Sequence, residues 1–300
     1  MTTAELLLPD LLLILLGAVL CRRTALNRPV WQAVEPLVYY VFFPVLLFDA
    51  TRHTSWQAAT TGQLALASLA VVAVGVALTT ALAHWPGVDV RRLASGAQTA
   101  FRFNSFVGLA LAERLGGVSA LGWMAVCIGL CVPLVNIAAV WSLARHAGLP
   151  YGRELLRNPL ILSTAAGILA QVADLRLPDA VDTTLHRIGL VALPLGLMAT
   201  GASLRPGRLR DAPGLAAVLM TVRHAVLPLV AWGVADALAL PAAQRLVVVL
   251  FAALPTSSAT YVLAARMGGD AAFVAGLVTL STLLATLSLP GWLWLLTRLG

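Results

Sequence analysis

The sequence predicts an all-α polytopic membrane protein of about ten transmembrane helices, built as two inverted five-helix repeats with broken, crossing helices four and nine. Sixty per cent of its 300 residues are apolar, only 11 % are charged, and the mean hydropathy is +0.89. Soluble domains are about 45–50 % apolar and roughly 25 % charged. A chain with so little polar surface must have lipid as part of its solvent.

Ten apolar runs are long enough to cross a bilayer, which needs about 20 residues per helix. They cover residues 4–22, 33–51, 62–84, 93–113, 119–144, 159–174, 183–203, 213–238, 243–266 and 271–297. The longest polar connection, near 145–158, separates a first repeat, 1–150, from a second, 151–300, within a single membrane domain. The first run contains Glu5 and Asp10 and follows no basic segment, so we expect a retained helix and not a cleaved signal peptide.

The distribution of arginine predicts the orientation in the membrane. All twenty basic residues are arginine; twelve lie in the odd-numbered loops and six in the even-numbered loops and the two ends. Because cytoplasmic loops are enriched in positive charge, we expect an inner-membrane protein with both termini extracytoplasmic. The arginines form no basic stripe with interleaved aromatic residues, and so no nucleic-acid partner is expected.

An internal duplication supports the division into two repeats. Three matches lie about 150 residues apart and in the same order. They pair Pro9 and Gly17 with Pro159 and Gly167, Pro44 with Pro194, and 111–117 with 263–269. A repeat with an odd number of helices inserts its second copy upside down, as in many secondary transporters. The alternative is a duplication kept only for packing.

Polar residues in runs four and nine mark the predicted binding site, because inverted repeats bind substrate where matching helices are broken. These candidates are Arg102, Asn104, Ser105 and Gly108 in run four, and Pro255, Thr256, Ser257, Ser258 and Tyr261 in run nine. A mid-helix proline removes a backbone donor, and hydroxyls after it can cap a restarted helix. The positive end of that helix suits an anion. The alternative is a simple proline kink with its hydroxyls bonded back to carbonyls.

Two arginines near the middle of apolar runs, Arg102 and Arg223, predict a positive cavity. Each costs about 2.5–3.5 kcal/mol at the membrane centre, and the acidic residues lie towards the ends of the runs. An anionic substrate would complete such a cavity; alternatively, both guanidiniums bond broken-helix carbonyls or reach a water-filled vestibule. Asn136 is a further candidate, although a lone buried amide often packs between helices. His224 is assigned a structural role, and Asp49 is a weaker candidate for a coupling ion.

These segments resemble the auxin efflux carrier family of bacterial and plant transporters, related in fold to the bile acid/sodium symporters. The resemblance rests on six segments: 42–48, 102–110, 158–159, 194–201, 223–228 and 255–256. It implies an X-shaped crossing of spans four and nine and a scaffold of spans one, two, six and seven. It also implies an elevator-like movement of the rest, a homodimer through the scaffold, and carboxylate substrates such as auxin, malonate or malate. Many relatives have Gly-x-Pro in span four, whereas Gly108 here is followed by Leu109 and Ala110, so the break must arise within 104–108 without proline.

The sequence thus predicts a secondary transporter that moves a small organic anion by alternating access. Arg102, Asn104 and residues 256–258 would hold the anion, and Arg223 would supply a longer-range field. Proton coupling, sodium coupling and facilitated diffusion stay open, as do a passive channel and a membrane receptor. An intramembrane enzyme is disfavoured because the chain lacks GxSxG, HExxH and paired intramembrane aspartates. No catalytic residue, cofactor or metal ligand is expected, and the cysteines are interpreted as packing residues.

Overall fold

A computed structural model describes residues 3–53, 58–143, 159–205 and 207–299. Every regular element within these ranges is helical. The first half of the chain contributes α1 Thr3–Arg23, α2 Arg28–Leu37, α3 Phe43–Arg52, α4 Ala58–Ala81, α5 Val90–Gly96, α6 Gln98–Phe101 and α7 Ser105–Leu143. The last of these, α7, is two helices joined at a kink at Gly117, whose φ is 63°. The second half contributes α8 Pro159–Val172, α9 Asp179–Ser203, α10 Pro213–Thr221, α11 Leu227–Ala237, α12 Ala242–Ala253, α13 Ala259–Arg266 and α14 Ala271–Leu299.

Six helical stretches in the described ranges are long and apolar enough to cross a membrane. They are Arg28–Arg52, Thr61–His84, Val90–Leu143, Asp179–Ser203, Pro213–Ala237 and Ala271–Leu296. Two shorter apolar helices cover Leu162–Val172 and Ala242–Ala253. The all-helical, membrane-spanning class is therefore confirmed, while the number of ten spans and the inverted relation between 1–150 and 151–300 stay predictions.

Two wide, π-helical turns precede prolines. Val38–Phe42 joins α2 to α3 ahead of Pro44, and Val222–Val226 joins α10 to α11 ahead of Pro228. Because proline has no N–H, the carbonyl one turn earlier loses its helical donor, and such local defects are common at functional positions. The turn at Val222–Val226 brings Arg223 and His224 into the protein interior.

The chain divides into two compact units, each with segments from both halves of the sequence. The first unit comprises Met1–Thr61, Phe106–Gly129 and Pro150–Ser203. The second unit comprises Gly62–Ser105, Leu130–Leu149 and Leu204–Gly300.

In the first unit, α1 and α9 pack with their backbones in direct contact. A Cβ atom on Gly17 would overlap the carbonyl of Met198, and one on Gly201 would overlap the carbonyl of Ile14. Small residues at a helix–helix interface allow this close approach, which strengthens packing where lipid supplies no hydrophobic drive.

The second unit buries large aromatic side chains. Phe251 on α12 and Phe273 on α14 are fully buried, and the Phe251 ring lies 4.5 Å from that of Phe103 between centroids. Phe103 itself lies in a helix interruption, between α6 and α7.

Candidate functional site

The first interruption separates α6 from α7 at residues 102–104. Arg102 has extended backbone angles, with φ −80° and ψ 141°, and no proline is present. The helix resumes at Ser105, so the break lies slightly before the 104–108 segment in which we expected it. Gly108 is already helical and buried, and it belongs to the first unit.

The second interruption separates α12 from α13 around Pro255. Leu254 is extended, with φ −56° and ψ 146°, because a residue before proline is disfavoured in the α conformation. Helix α13 begins at Ala259, whose N–H donates to Ser257 Oγ at 3.3 Å. The N-cap residue is Ser258, which makes no side-chain cap bond; the Ser257 hydroxyl instead accepts from the first N–H of the restarted helix in a local serine turn.

The two interruptions lie side by side within the second unit. The backbone N–H of Asn104 donates to the carbonyl of Pro255 at 2.8 Å. Asn104 and Thr256 are both buried. A polar backbone segment buried in this way must find its partners inside the protein, and here each interruption supplies a partner for the other.

Arg102 is held beside the breaks by two amide side chains. Its Nη1 donates to Gln98 Oε1 at 3.2 Å, and its Nη2 donates to Asn136 Oδ1 at 2.9 Å. Gln98 in turn donates to the carbonyl of Thr260 on α13 at 3.3 Å. These two amides are neutral, and they orient the guanidinium. Two residues predicted separately, Arg102 and Asn136, are thus neighbours.

Arg223 is 1 % exposed and donates to the carbonyl ends of both broken helices. Its Nε lies 2.5 Å from the Leu254 oxygen, its Nη2 3.4 Å from the Phe251 oxygen, and its Nη1 3.5 Å from the Ala100 oxygen. These carbonyls end α12 and α6, where the helix dipole is negative. The contacts match the alternative in which this guanidinium bonds broken-helix carbonyls.

Thr256 presents an unusual hydroxyl at the second break. Its backbone N–H donates to Ser281 Oγ at 3.0 Å. Its side chain is fully buried, yet Oγ1 has no hydrogen-bond partner among the described residues. Buried hydroxyls normally have a partner, and an unpaired one in a polar break is a natural contact for a ligand.

A serine–histidine network on α14 supports Thr256, and sequence reasoning missed its serines. Ser281 Oγ lies 2.9 Å from His224 Nε2, and Ser288 Oγ lies 3.0 Å from His224 Nδ1. Trp292 Nε1 donates to the His224 carbonyl at 2.9 Å, which is the carbonyl that loses its helical donor to Pro228. The signal in the sequence was the spacing of 281, 288 and 292, which places all three on one helix face.

Tyr261 is directed towards another arginine. Its hydroxyl accepts a hydrogen bond from Arg205 Nη1 at 2.6 Å, and the Arg205 guanidinium lies 4.2 Å from the ring centroid.

Of the residues predicted for the site, the structure links Arg102 to Asn136 and links Asn104 to the 255–258 segment, with Arg223 joining both breaks. Ser105 begins α7 within the second unit and is half-buried.

Residues 144–293, 150 of the 300 residues, match a family model described as membrane transport protein. The chain belongs to this family, the auxin efflux carrier family of membrane transporters. None of the curated proteins compared with the chain matches it. The matched part of this transporter includes the second break, Arg223 and the serine–histidine network. The family consists of transporters and not of enzymes.

Proposed function

We propose that this transporter moves a small organic anion, a carboxylate, across the cytoplasmic membrane by alternating access. The observation that carries the proposal is the pair of bonded helix breaks, Asn104 to Pro255, beside the Thr256 hydroxyl, for which the described part of the chain offers no hydrogen-bond partner. Broken helices of this kind bind substrates in secondary transporters because their ends expose backbone groups and dipoles to the ligand.

Charge favours an anion over a cation or a neutral solute. A guanidinium at membrane depth costs about 2.5–3.5 kcal/mol, and two of the groups that bond Arg102 are neutral amides. A substrate carboxylate would accept from Arg102 in a charge-assisted hydrogen bond. Asn104, Thr256, Ser257 and Ser258 would complete the anion's contacts from the two breaks.

In this proposal the other predicted site residues would have supporting parts. Arg223 would keep the two breaks together, since its partners are their carbonyl ends. Asn136 would orient Arg102, and Tyr261 would hold Arg205 next to the restarted helix.

Alternating access would use the two inverted repeats, 1–150 and 151–300. The first unit contains predicted spans one, two, six and seven, which supports its assignment as a scaffold, while the second unit would carry the substrate. We further propose an inner-membrane location with both termini extracytoplasmic and a fold related to the bile acid/sodium symporters. A coupling ion, H⁺ or Na⁺, and a homodimer through the scaffold are compatible with this arrangement.

Uptake into proteoliposomes tests the proposal. The purified protein would be assayed with acetate, malonate, malate and auxin under imposed proton and sodium gradients. Saturable uptake of a carboxylate is expected. Loss of a hydrogen bond to a charged group costs about 1.5–3 kcal/mol, so Arg102→Ala should weaken the apparent affinity about tenfold to hundredfold.

A matched control is Arg91→Ala, because Arg91 is an exposed arginine of the same unit. It should leave the affinity unchanged. If Arg102→Ala moved every accepted carboxylate with the original affinity, the site assignment would be wrong. Flux that does not saturate and ignores imposed gradients would indicate a channel instead.

A further inference from the structure

The sequence contains the pattern Asp-x-x-x-His twice, away from the helix breaks. DATRH covers 49–53 and DTTLH covers 182–186. Asp49 lies on α3 and His53 follows its last turn, while Asp182 and His186 lie near the start of α9. A spacing of four places both side chains of each pair on one helix face, as in helical zinc-binding motifs.

The two pairs meet in the first unit. Asp49 Oδ2 lies 3.1 Å from His186 Nδ1 on the other helix, and Asp49 Oδ1 lies 3.5 Å from His53 Nδ1. One ligand atom each from Asp49, His53 and Asp182 lies within 4.8 Å of the others. Zinc bonds to nitrogen and oxygen of about 2.0–2.1 Å place neighbouring tetrahedral ligands about 3.3–3.4 Å apart. The two histidine-to-carboxylate separations bracket that value, each from a different oxygen of Asp49. His53 Nδ1 also lies 2.9 Å from the Asp49 backbone oxygen, a contact that a bound metal would replace.

We propose that Asp49, His53 and Asp182 form a binding site for a divalent transition metal such as Zn²⁺. His186, which lies 3.1 Å from Asp49 Oδ2, would supply the fourth ligand once the side chains close on the metal. Imidazole and carboxylate together suit zinc and its neighbours among the first-row metals. The site is open on one side, because the side chains of His53 and His186 are 47 % and 61 % exposed, while Asp49 anchors it with a side chain only 10 % exposed. The inference concerns the first unit and does not depend on the transported substrate.

Arg52 is the competitor for this site. Its Nη2 pairs with Asp49 at 3.1 Å and also with Asp182, so that a guanidinium stands between the two carboxylates where the metal would bind. The fit of Arg52 is incomplete, since its Nε is buried without a hydrogen-bond partner among the described residues. Metal binding therefore requires Arg52 to move aside, and removing Arg52 should strengthen the binding of metal.

Titration with Co²⁺ tests the proposal, because the visible absorption of Co²⁺ reports tetrahedral coordination and separates nitrogen and oxygen ligands from cysteine sulfur. The metal-free full-length protein in detergent should bind one Co²⁺ at this site, displaceable by Zn²⁺. Arg52→Gln should bind about tenfold tighter or more, since the competing charged hydrogen bonds are gone. The double variant His53→Asn, His186→Asn should lose the signal.

His84→Asn is the matched control, because His84 is exposed and belongs to the second unit; it should bind Co²⁺ like the parent. Circular dichroism would check that each variant is folded. If Arg52→Gln were unfolded, the loss of Co²⁺ binding in the histidine double variant would be the test. Failure of both the parent and Arg52→Gln to bind Co²⁺ would overturn the proposal. The proposal would also be overturned if the melting temperature changed with pH but not with added metal. The histidines would then bind protons and not a metal.

Discussion

Thr256→Val should stabilise the empty protein and weaken substrate binding. The two side chains have nearly the same shape, so the substitution removes little more than the hydroxyl. Thr256 is fully buried and its Oγ1 has no partner in the described ranges. Burying an unpaired hydroxyl costs about 1–3 kcal/mol in mutational data. Taking the low end, valine should raise stability by about 1 kcal/mol, or the melting temperature by about 2 °C.

The affinity should change in the opposite direction. A hydrogen bond to a charged group contributes about 1.5–3 kcal/mol. Without the hydroxyl, a carboxylate should bind about tenfold to hundredfold more weakly. A change that stabilises the protein while it impairs binding is expected only of a group reserved for the ligand.

Thr260→Val is the matched comparison on the same segment. Thr260 is also fully buried, but its Oγ1 donates to the Ser257 carbonyl. Valine at position 260 removes an existing hydrogen bond, and it should destabilise the protein by about 1 kcal/mol.

The measurements are thermal unfolding in detergent and calorimetric titration with malonate, or with whichever carboxylate gives saturable uptake. A Thr256→Val protein that is less stable than the parent, with unchanged affinity, would refute the reasoning. That result would mean that Oγ1 has a partner inside the protein.

Two further predictions concern the support of the site and the packing of the first unit. Ser281→Ala removes the acceptor of the Thr256 N–H and should weaken substrate binding about tenfold. The control is Ser288→Ala, which leaves that bond intact. Equal substrate affinities in the two variants would contradict the role of Ser281. Gly201→Val places side-chain atoms against the carbonyl of Ile14, so overpacking should lower the stability of the protein by at least about 1–3 kcal/mol. The control is Gly233→Ala, whose added Cβ has nothing within 4 Å and should be neutral or stabilising. Thermal unfolding measures both effects.

The helices were predictable because the bilayer sets the length of each apolar run. The second break was predictable for an equally local reason, since Pro255 has no N–H and constrains Leu254 before it. The first break could be predicted only approximately. No residue in it enforces an extended backbone, and its position depends on the bond from Asn104 to Pro255, a partner 151 residues away in sequence (255 − 104).

The supporting residues were harder to predict. Ser281 is one of several hydroxyl residues on an apolar helix, and such residues usually bond to a carbonyl of their own helix. Nothing local distinguishes it from Thr282, which does so. The role of Gln98 could not be predicted from the local sequence either. It depends on contacts with Arg102 and with the Thr260 carbonyl, which lies on another helix.

The position of Arg223 follows from the polarity of broken helices. Interrupting a helix creates a negative carbonyl end and a positive N–H end at membrane depth. Arg223 binds the negative ends of α12 and α6, and so it offsets the groups that would repel an anion. The positive end of α13, which begins just after the unpaired Thr256 hydroxyl, is left to attract one. A carboxylate would then meet this helix end and Arg102 together, whereas a cation would meet the same two groups without compensation. The proposed selectivity for anions would therefore depend on Arg223 even though it need not contact the substrate.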